Sequence, residues 1–510
     1  MNYPVWDVSF GSPLLIAIVA IVHVFVSHFA VGGGLFLVLS EKRAYKRNDN
    51  VLLEWLKTHT KFFVLLTVVF GVVTGVGIWF TIGLIQPSAT STLIHSFVWG
   101  WAIEWVFFFL EITAALLYLY GWDKIDRETH IWLGWIYFIA AFLSMVIING
   151  ILAFMLTPGS WIQSHKFWEG FFNPTYFPQL FLRFSFSIAL AGVYALVTSS
   201  LMKPDEKAGL VKWSVGWIIA GFVFLPLFAY WYSSNIPESV WNNALGLMPT
   251  ATSYAGLITI FAIITFLLSL IALFISKKVN LIFSLLIFVF AFLTMWSFEF
   301  IREAIRKPFV ITDYMYANSV YPNSFEGDGG FSPENINSKG VLNSAKWIDR
   351  DKLNNIIDKG EQVFRVECMS CHTIDGYRSM NKLLNKKGWS KENFNAMLTG
   401  LEHMNNGTMP PFVGNEDEKT ALSEFIYSKV SVNETLNLSG KDLFGKYCSS
   451  CHQYDDEDPL FLALSGSDDE DIIEYASDLN GNNELMPPLV IKENDLKKLA
   501  AWIKIQFNEN

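Results

Sequence analysis

The chain has 510 residues, 52% of them hydrophobic and 16% aromatic, with a formal net charge of −10. That composition excludes a soluble globular protein of this length, and the acidic balance gives no support for a nucleic-acid partner.

Apolar runs long enough to cross a bilayer occur at 12–40, 62–84, 97–121, 131–156, 179–201, 213–233, 255–276 and 280–303. They predict about eight transmembrane helices surrounded by lipid. The first run is too long, and lacks a cleavage site, to be a removable signal peptide. Basic residues set the orientation. Loops 41–61, 122–130, 202–212 and the turn at 277–278 hold thirteen Lys and Arg, whereas the alternate loops hold only Lys166. The N-terminus is therefore expected outside, and eight spans bring the C-terminus outside too. The expected location is a bacterial inner (cytoplasmic) membrane, with the C-terminal region in the periplasm or on the outer face.

Ionisable residues within such spans are costly and mark functional sites. His23 lies in span 1, Glu104 and Glu111 in span 3, and Arg302, Glu303 and Arg306 at the outer end of span 8. At 1.5 Å per residue, His23 and Glu104 sit roughly 16 Å and roughly 10 Å below the outer surface, and Glu303 is near it. Glu111 is seven residues beyond Glu104 on the same helix face, which suits a proton path leading inward. The competing account has Arg302 and Glu303 as snorkelling helix ends and His23 in an interhelical hydrogen bond.

These residues carry a resemblance. The motifs are His23-Val-Phe-Val, Phe70-Gly71-Val72-Val73-Thr74-Gly75, Trp101-Ala102-Ile103-Glu104 and Phe108-Phe109-Leu110-Glu111. Asn149-Gly150, Asn173-Pro174 and Glu303-Ala-Ile-Arg306-Lys307-Pro308-Phe309 follow in order. Together the first 300 or so residues resemble subunit I of the cytochrome bd oxygen reductases. The resemblance implies His23 as ligand of one noncovalent high-spin haem and Glu303 as ligand of the other. Glu104 and Glu111 would then be catalytic proton groups, with Glu104 a further candidate ligand. The implied membrane haems are a haem b with either a haem d or a second haem b.

Three departures matter. Arg183 stands where that family has the histidine ligand of a low-spin haem, span 7 has no methionine between Ser253 and Ser269, and the quinol-binding loop shrinks to residues 234–253. Arg183 and Arg306 are expected at the cofactors, with a haem propionate or a carboxylate as the partner of Arg183. Quinol is not expected as a direct substrate.

Residues 310–344 read as a linker rich in Asn, Ser, Gly and Pro, expected to be ordered only where it touches its neighbours. Beyond it come Cys368-Met-Ser-Cys371-His372 and Cys448-Ser-Ser-Cys451-His452, 80 residues apart. This spacing attaches c-type haem: two thiols add to the vinyl groups and the next histidine ligates iron. A disulfide or a redox dithiol would not need the histidine twice. Gly360-x-x-x-Phe364 and Gly440-x-x-x-Phe444 precede the motifs. Met409-Pro410-Pro411 and Met486-Pro487-Pro488 follow, 37 and 34 residues after each histidine. The expected ligand pairs are His372/Met409 and His452/Met486, with His403 as a competitor of Met409. Each unit resembles a class I cytochrome c domain, with Trp502 in the C-terminal helix of the second.

The expected fold is therefore all-α: a polytopic bundle over 1–309, the linker 310–344, and small cytochrome domains over 345–435 and 436–510. Two haem c and two noncovalent haems are expected. The leading function is a terminal oxidase that reduces O2 to water with electrons from a periplasmic donor. The alternatives are reduction of NO or another small oxidant, and a membrane-anchored electron-transfer protein without catalysis. Residues 440–510 carry a net charge of −9, concentrated at Asp455–Asp458 and Asp468–Asp471, which would steer a basic cytochrome c to the second domain. The expected electron order is donor, second haem c, first haem c, membrane haems. A second membrane subunit or a second copy of the chain is the candidate assembly partner.

Overall fold

The computed structural model describes all residues except 1–4, 239, 242–248, 323–336, 338, 405–406, 431–437, 454–457, 484 and 509–510. They fall into two compact units. One comprises Ile16–Gly83 and Ser88–Arg306; the other comprises Lys307–Asn510 with Met1–Leu15 and Leu84–Pro87.

The first unit is a helical bundle. Among the described residues eight helices are long and apolar enough to cross a membrane. They are Ser12–Arg47, Asn50–Ile85, Val98–Gly121, Arg127–Phe154, Tyr176–Ser199, Pro204–Ser234, Pro249–Phe274 and Leu281–Ala304, here spans 1 to 8. The helices overrun the apolar runs on the basic side. Span 1 continues to Arg47 and stops at Asn48, whose φ of 53° is left-handed, and span 2 restarts after the Asp49 cap. Hydropathy marks the thickness of the apolar slab, whereas backbone hydrogen bonding carries a helix on into water. Span 5 is the most enclosed: 78% of its most apolar window is buried, against 17% for spans 3 and 7. Small residues let its neighbours in, since a Cβ on Gly192 or Gly221 would strike the backbone of the facing span.

Span 2 contains a π-helical stretch, Leu65–Gly71, between its two α-helical parts. Such stretches shift the backbone register and free carbonyls for other partners. The start of span 5 is held by asparagines: Asn173 Nδ2 donates to the Gly150 carbonyl (3.2 Å), and Asn149 Nδ2 to the Tyr176 carbonyl (2.8 Å).

The second unit contains two small helical domains of one design. In the first, helix Ile356–Glu367 crosses helix Glu416–Lys429 at Gly360, where a Cβ would overlap the Ala421 carbonyl. In the second, helix Gly440–Tyr447 crosses helix Glu493–Asn508 at Gly440, where a Cβ would strike Trp502. Phe364 then meets Phe425 at 5.7 Å and Phe444 meets Trp502 at 5.0 Å. The repeated Gly-x-x-x-Phe is thus a helix-crossing device. The linker packs where it is described: Val320, Val341 and Leu342 join the first domain's core, and Glu418 accepts from the Val341 and Leu342 amides. A short hairpin, Phe309–Ile311 with Met315–Tyr316, opens it.

Candidate functional site

In the bundle, His23 projects from span 1 onto the end of the π-helical stretch. Its Nδ1 lies 3.1 Å from the Gly71 carbonyl and 3.1 Å from Thr74 Oγ1. Thr74 spends its own proton on backbone carbonyls, so Nδ1 carries the hydrogen and donates. Nε2 is left with a lone pair, the state that a metal-ligating histidine needs. Gly75 gives the ring room, a Cβ there falling 3.0 Å from His23 Cε1. The Gly71-x-x-Thr74-Gly75 motif therefore builds the support of one histidine.

Glu104 and Glu111 share a face of span 3, as expected. Ser144 donates to Glu104 Oε1 (3.0 Å) and Tyr137 to Glu111 Oε1 (3.0 Å), and these partners are themselves seven residues apart on span 4. Arg183 lies deep in span 5 and pairs with a carboxylate, Glu299 of span 8, at 2.8 Å. The pair opens a chain of charges. Glu299 accepts from Arg302 Nε (2.9 Å), and Glu303 accepts from Arg302 (2.8 Å) and Arg306 (2.6 Å), one guanidinium per oxygen. At the inner end Arg183 Nη1 donates to His28 Nε2 (3.3 Å), while His28 Nδ1 meets the Val24 carbonyl (2.6 Å).

Sequence reasoning passed over Glu299 and His28. An acidic residue inside span 8 was a visible signal; for His28, five residues from His23, nothing local was. His28 has both ring nitrogens engaged and is no rival to His23 as a ligand.

In the second unit, Cys368 and Met409 both pack against the first domain's core, and His403 is exposed beside Glu402 (3.7 Å). His372 Nδ1 donates to the Arg378 carbonyl (3.0 Å). Burial would raise the Cys371 thiol, but Lys307, 3.3 Å away, and Arg378 bring it below its ordinary value. Burial pushes Cys448 up to about 12. His452 Nδ1 instead meets a carboxylate, Asp458 Oδ1, at 2.8 Å. The Met486 loop is tied by Asn480 Nδ2 to the Met486 carbonyl (2.8 Å). The two domains touch: Trp389 Nε1 donates to the Lys446 carbonyl (2.7 Å), and Tyr447 and Cys451 pack on the first core.

Residues 12–232 match the family described as cytochrome bd terminal oxidase subunit I. Residues 355–426 and 436–503 each match cytochrome c oxidase, cbb3-type, subunit III. The chain joins a cytochrome bd subunit I domain to two cbb3-type cytochrome c domains. The bd match ends before spans 7 and 8, so Glu299, Arg302, Glu303 and Arg306 lie beyond it, whereas Arg183 lies within it.

Cbb3-type cytochrome c oxidase subunit CcoP of Helicobacter pylori (strain 52) is 26% identical over 159 residues, 29% of this chain and 53% of that protein. The same subunit from strain ATCC 700392 / 26695 is 26% identical over 159 residues, 29% of this chain and 54% of that protein. The chain thus spans about half the length of the curated relatives it matches. The bd oxidase of Geobacillus thermodenitrificans shares the fold, with a TM-score of 0.51 and 16% identity over 59% of this chain and 89% of that one.

The residues fit haem. The c-type sites offer paired thiols and a histidine with Nδ1 anchored, and in the first domain the Met409 thioether packs on the same core as Cys368. In the bd domain His23 offers Nε2 and Glu303 a carboxylate. Arg183 Nε, Arg302 Nη1 and Arg306 Nε are buried without an acceptor among the described residues, a donor set suited to a carboxylate such as a propionate.

Proposed function

We propose that this chain is a membrane oxidase that reduces dioxygen to water in its bd domain, using electrons delivered through its c-type domains. Bound haem would supply the electron storage and the oxygen chemistry. His23 would hold one noncovalent haem and Glu303 the other, with His372/Met409 and His452/Met486 on the covalent pair. A haem held by both a histidine and a methionine would be closed to substrate, so the c-type domains suit electron transfer rather than substrate binding. Glu104 and Glu111 would carry protons from the inner side along span 3 towards the membrane haems.

The observation that carries this reading is the fusion itself: an oxidase-type membrane domain continuous with two c-type haem domains. Arg183 supports the exclusion of quinol. It is permanently charged and committed to Glu299 and His28, so it leaves no neutral ligand for a haem at that position. The contact of Tyr447 and Cys451 with the first core supports transfer from second to first haem c.

The test is purified full-length protein in two assays. A pyridine haemochrome assay is expected to return two haem c and two noncovalent haems per chain. Oxygen consumption is expected with reduced cytochrome c and to be far slower with a soluble quinol analogue. Two haem c with no other haem would reduce the protein to an electron carrier. Equal rates with both donors would reveal a quinol site.

A further inference from the structure

A second group of buried titratable residues lies at the basic, inward-assigned end of the bundle, apart from the residues used so far. Glu41 of span 1 is fully buried, with Oε1 2.9 Å from His130 Nδ1 and Oε2 accepting from Tyr118 OH at 2.7 Å. His130 Nε2 lies 2.9 Å from the Tyr118 carbonyl.

Hydrogen-bond accounting shows what this triangle holds. A carbonyl only accepts, so Nε2 carries a hydrogen. Nδ1 then faces Glu41 Oε1 with a single hydrogen to share. Either the imidazole is charged beside a carboxylate, or it is neutral beside a carboxylic acid. Both arrangements satisfy every partner, so the cluster at rest holds one proton shared between the imidazole and the carboxyl.

The cluster has a way in and a way on. Residues 123–129 are all exposed, and His130 is the first buried residue after them. Beside it, Arg127 stacks on Tyr45 at 4.1 Å. On the other side, Tyr118 and Tyr137 line one small cavity, closed in part by Gly34 and Gly134. Both glycines are needed for that approach: a Cβ would lie 2.5 Å from the Tyr137 ring at Gly34 and 3.1 Å from the Tyr118 ring at Gly134. The cavity has the volume of about one water, and its lining is apolar apart from the two tyrosines. Tyr137 OH then donates to Glu111, from which span 3 leads to Glu104.

We infer that Glu41, His130 and Tyr118 form the proton-loading site of the bd domain, taking protons from the exposed 123–129 side and passing them through the cavity to Tyr137 and Glu111. Each proton released to Glu111 is replaced by one from water, so the cluster's charge is restored at every turnover. The inference rests on the reading of Glu111 as a proton carrier for oxygen reduction.

The test uses the full chain in lipid nanodiscs, following proton uptake with a pH-indicator dye after the fully reduced protein meets oxygen. Glu41→Gln keeps the shape of the cluster but removes the shared proton. It is expected to slow uptake about a hundredfold while haem absorption and electron transfer from haem c stay at their native values. Glu41→Asp is expected to restore at least half of the rate, and Tyr137→Phe to slow uptake as Glu41→Gln does. Native uptake in Glu41→Gln would overturn the inference. So would loss of noncovalent haem from both Glu41 variants, which would make the cluster a clamp between helices. Glu111→Gln separates the two levels. Slowed uptake there with native uptake in Glu41→Gln removes only the loading site, whereas native uptake and turnover in Glu111→Gln remove the underlying reading.

Discussion

The two units treat charge in opposite ways. Within the bundle's spans charges are paired and largely buried, as in Arg183 with Glu299, Arg302 with Glu299, and Glu41 with His130, while Glu303 and loop pairs such as Lys57–Asp123 reach the surface. In the cytochrome unit most ion pairs are exposed, such as Lys497–Glu493 and Lys419–Glu416, and several acids cap helices. Asp468 and Asp471 form a capping box on helix Asp469–Ser477, which accounts for half of the second acidic run without a partner. Most of the first run, Asp455–Glu457, lies outside the described residues, and Asp458 is turned towards His452. Removing one member of a buried pair leaves a charge in low dielectric, whereas removing a surface charge costs little. The same distinction orders the expected effects of substitution.

The largest effect is expected at His23. Replacing it with Ala should remove one noncovalent haem and abolish oxygen consumption, with the c-type spectrum intact. Oxidase activity in that variant would end the assignment. Arg183→Ala comes next. It strands the Glu299 carboxylate and should destabilise the bundle by about 3–5 kcal/mol in thermal unfolding in detergent. The paired change Arg183→Met with Glu299→Leu should recover most of that loss, because no charge is left unmatched. Failure to recover would mean that the pair does more than balance itself.

A smaller effect distinguishes the two c-type sites. The His452 ring faces a carboxylate and the His372 ring a backbone carbonyl. A charge-assisted bond strengthens a ligand's donation and favours ferric iron, so the second haem c should have the lower potential. Electrons would then run downhill from second to first. With about 1 kcal/mol of extra interaction, Asp458→Asn should raise the second potential by about 40 mV in a spectroscopic redox titration. An unchanged potential would make Asp458 a loop tether only. The smallest effect belongs to the acidic runs. Neutralising Asp455, Asp456, Glu457 and Glu470 should lower the rate with a basic cytochrome donor at low salt and flatten its salt dependence. An unchanged salt profile would move donor docking elsewhere.

The sequence by itself determined the eight spans, the two haem-attachment motifs and the Gly-x-x-x-Phe repeat. Those features are local: hydropathy over about twenty residues, thiol spacing over five, one helix crossing at a glycine. It also placed Glu104 and Glu111 on one face, since helical periodicity needs no partner to be read. What it could not supply is pairing. Arg183 and Glu299 are 116 residues apart, and Glu41 and His130 are 89. The sequence marked Arg183 as unusual, but only the packing of span 8 against span 5 decided that a carboxylate answers it. The loading cluster was less legible still, because Glu41 and His130 sit where the apolar signal gives way to basic loops and read as surface residues. Tertiary structure buries them, because the helices run on past the apolar slab and close over their own ends.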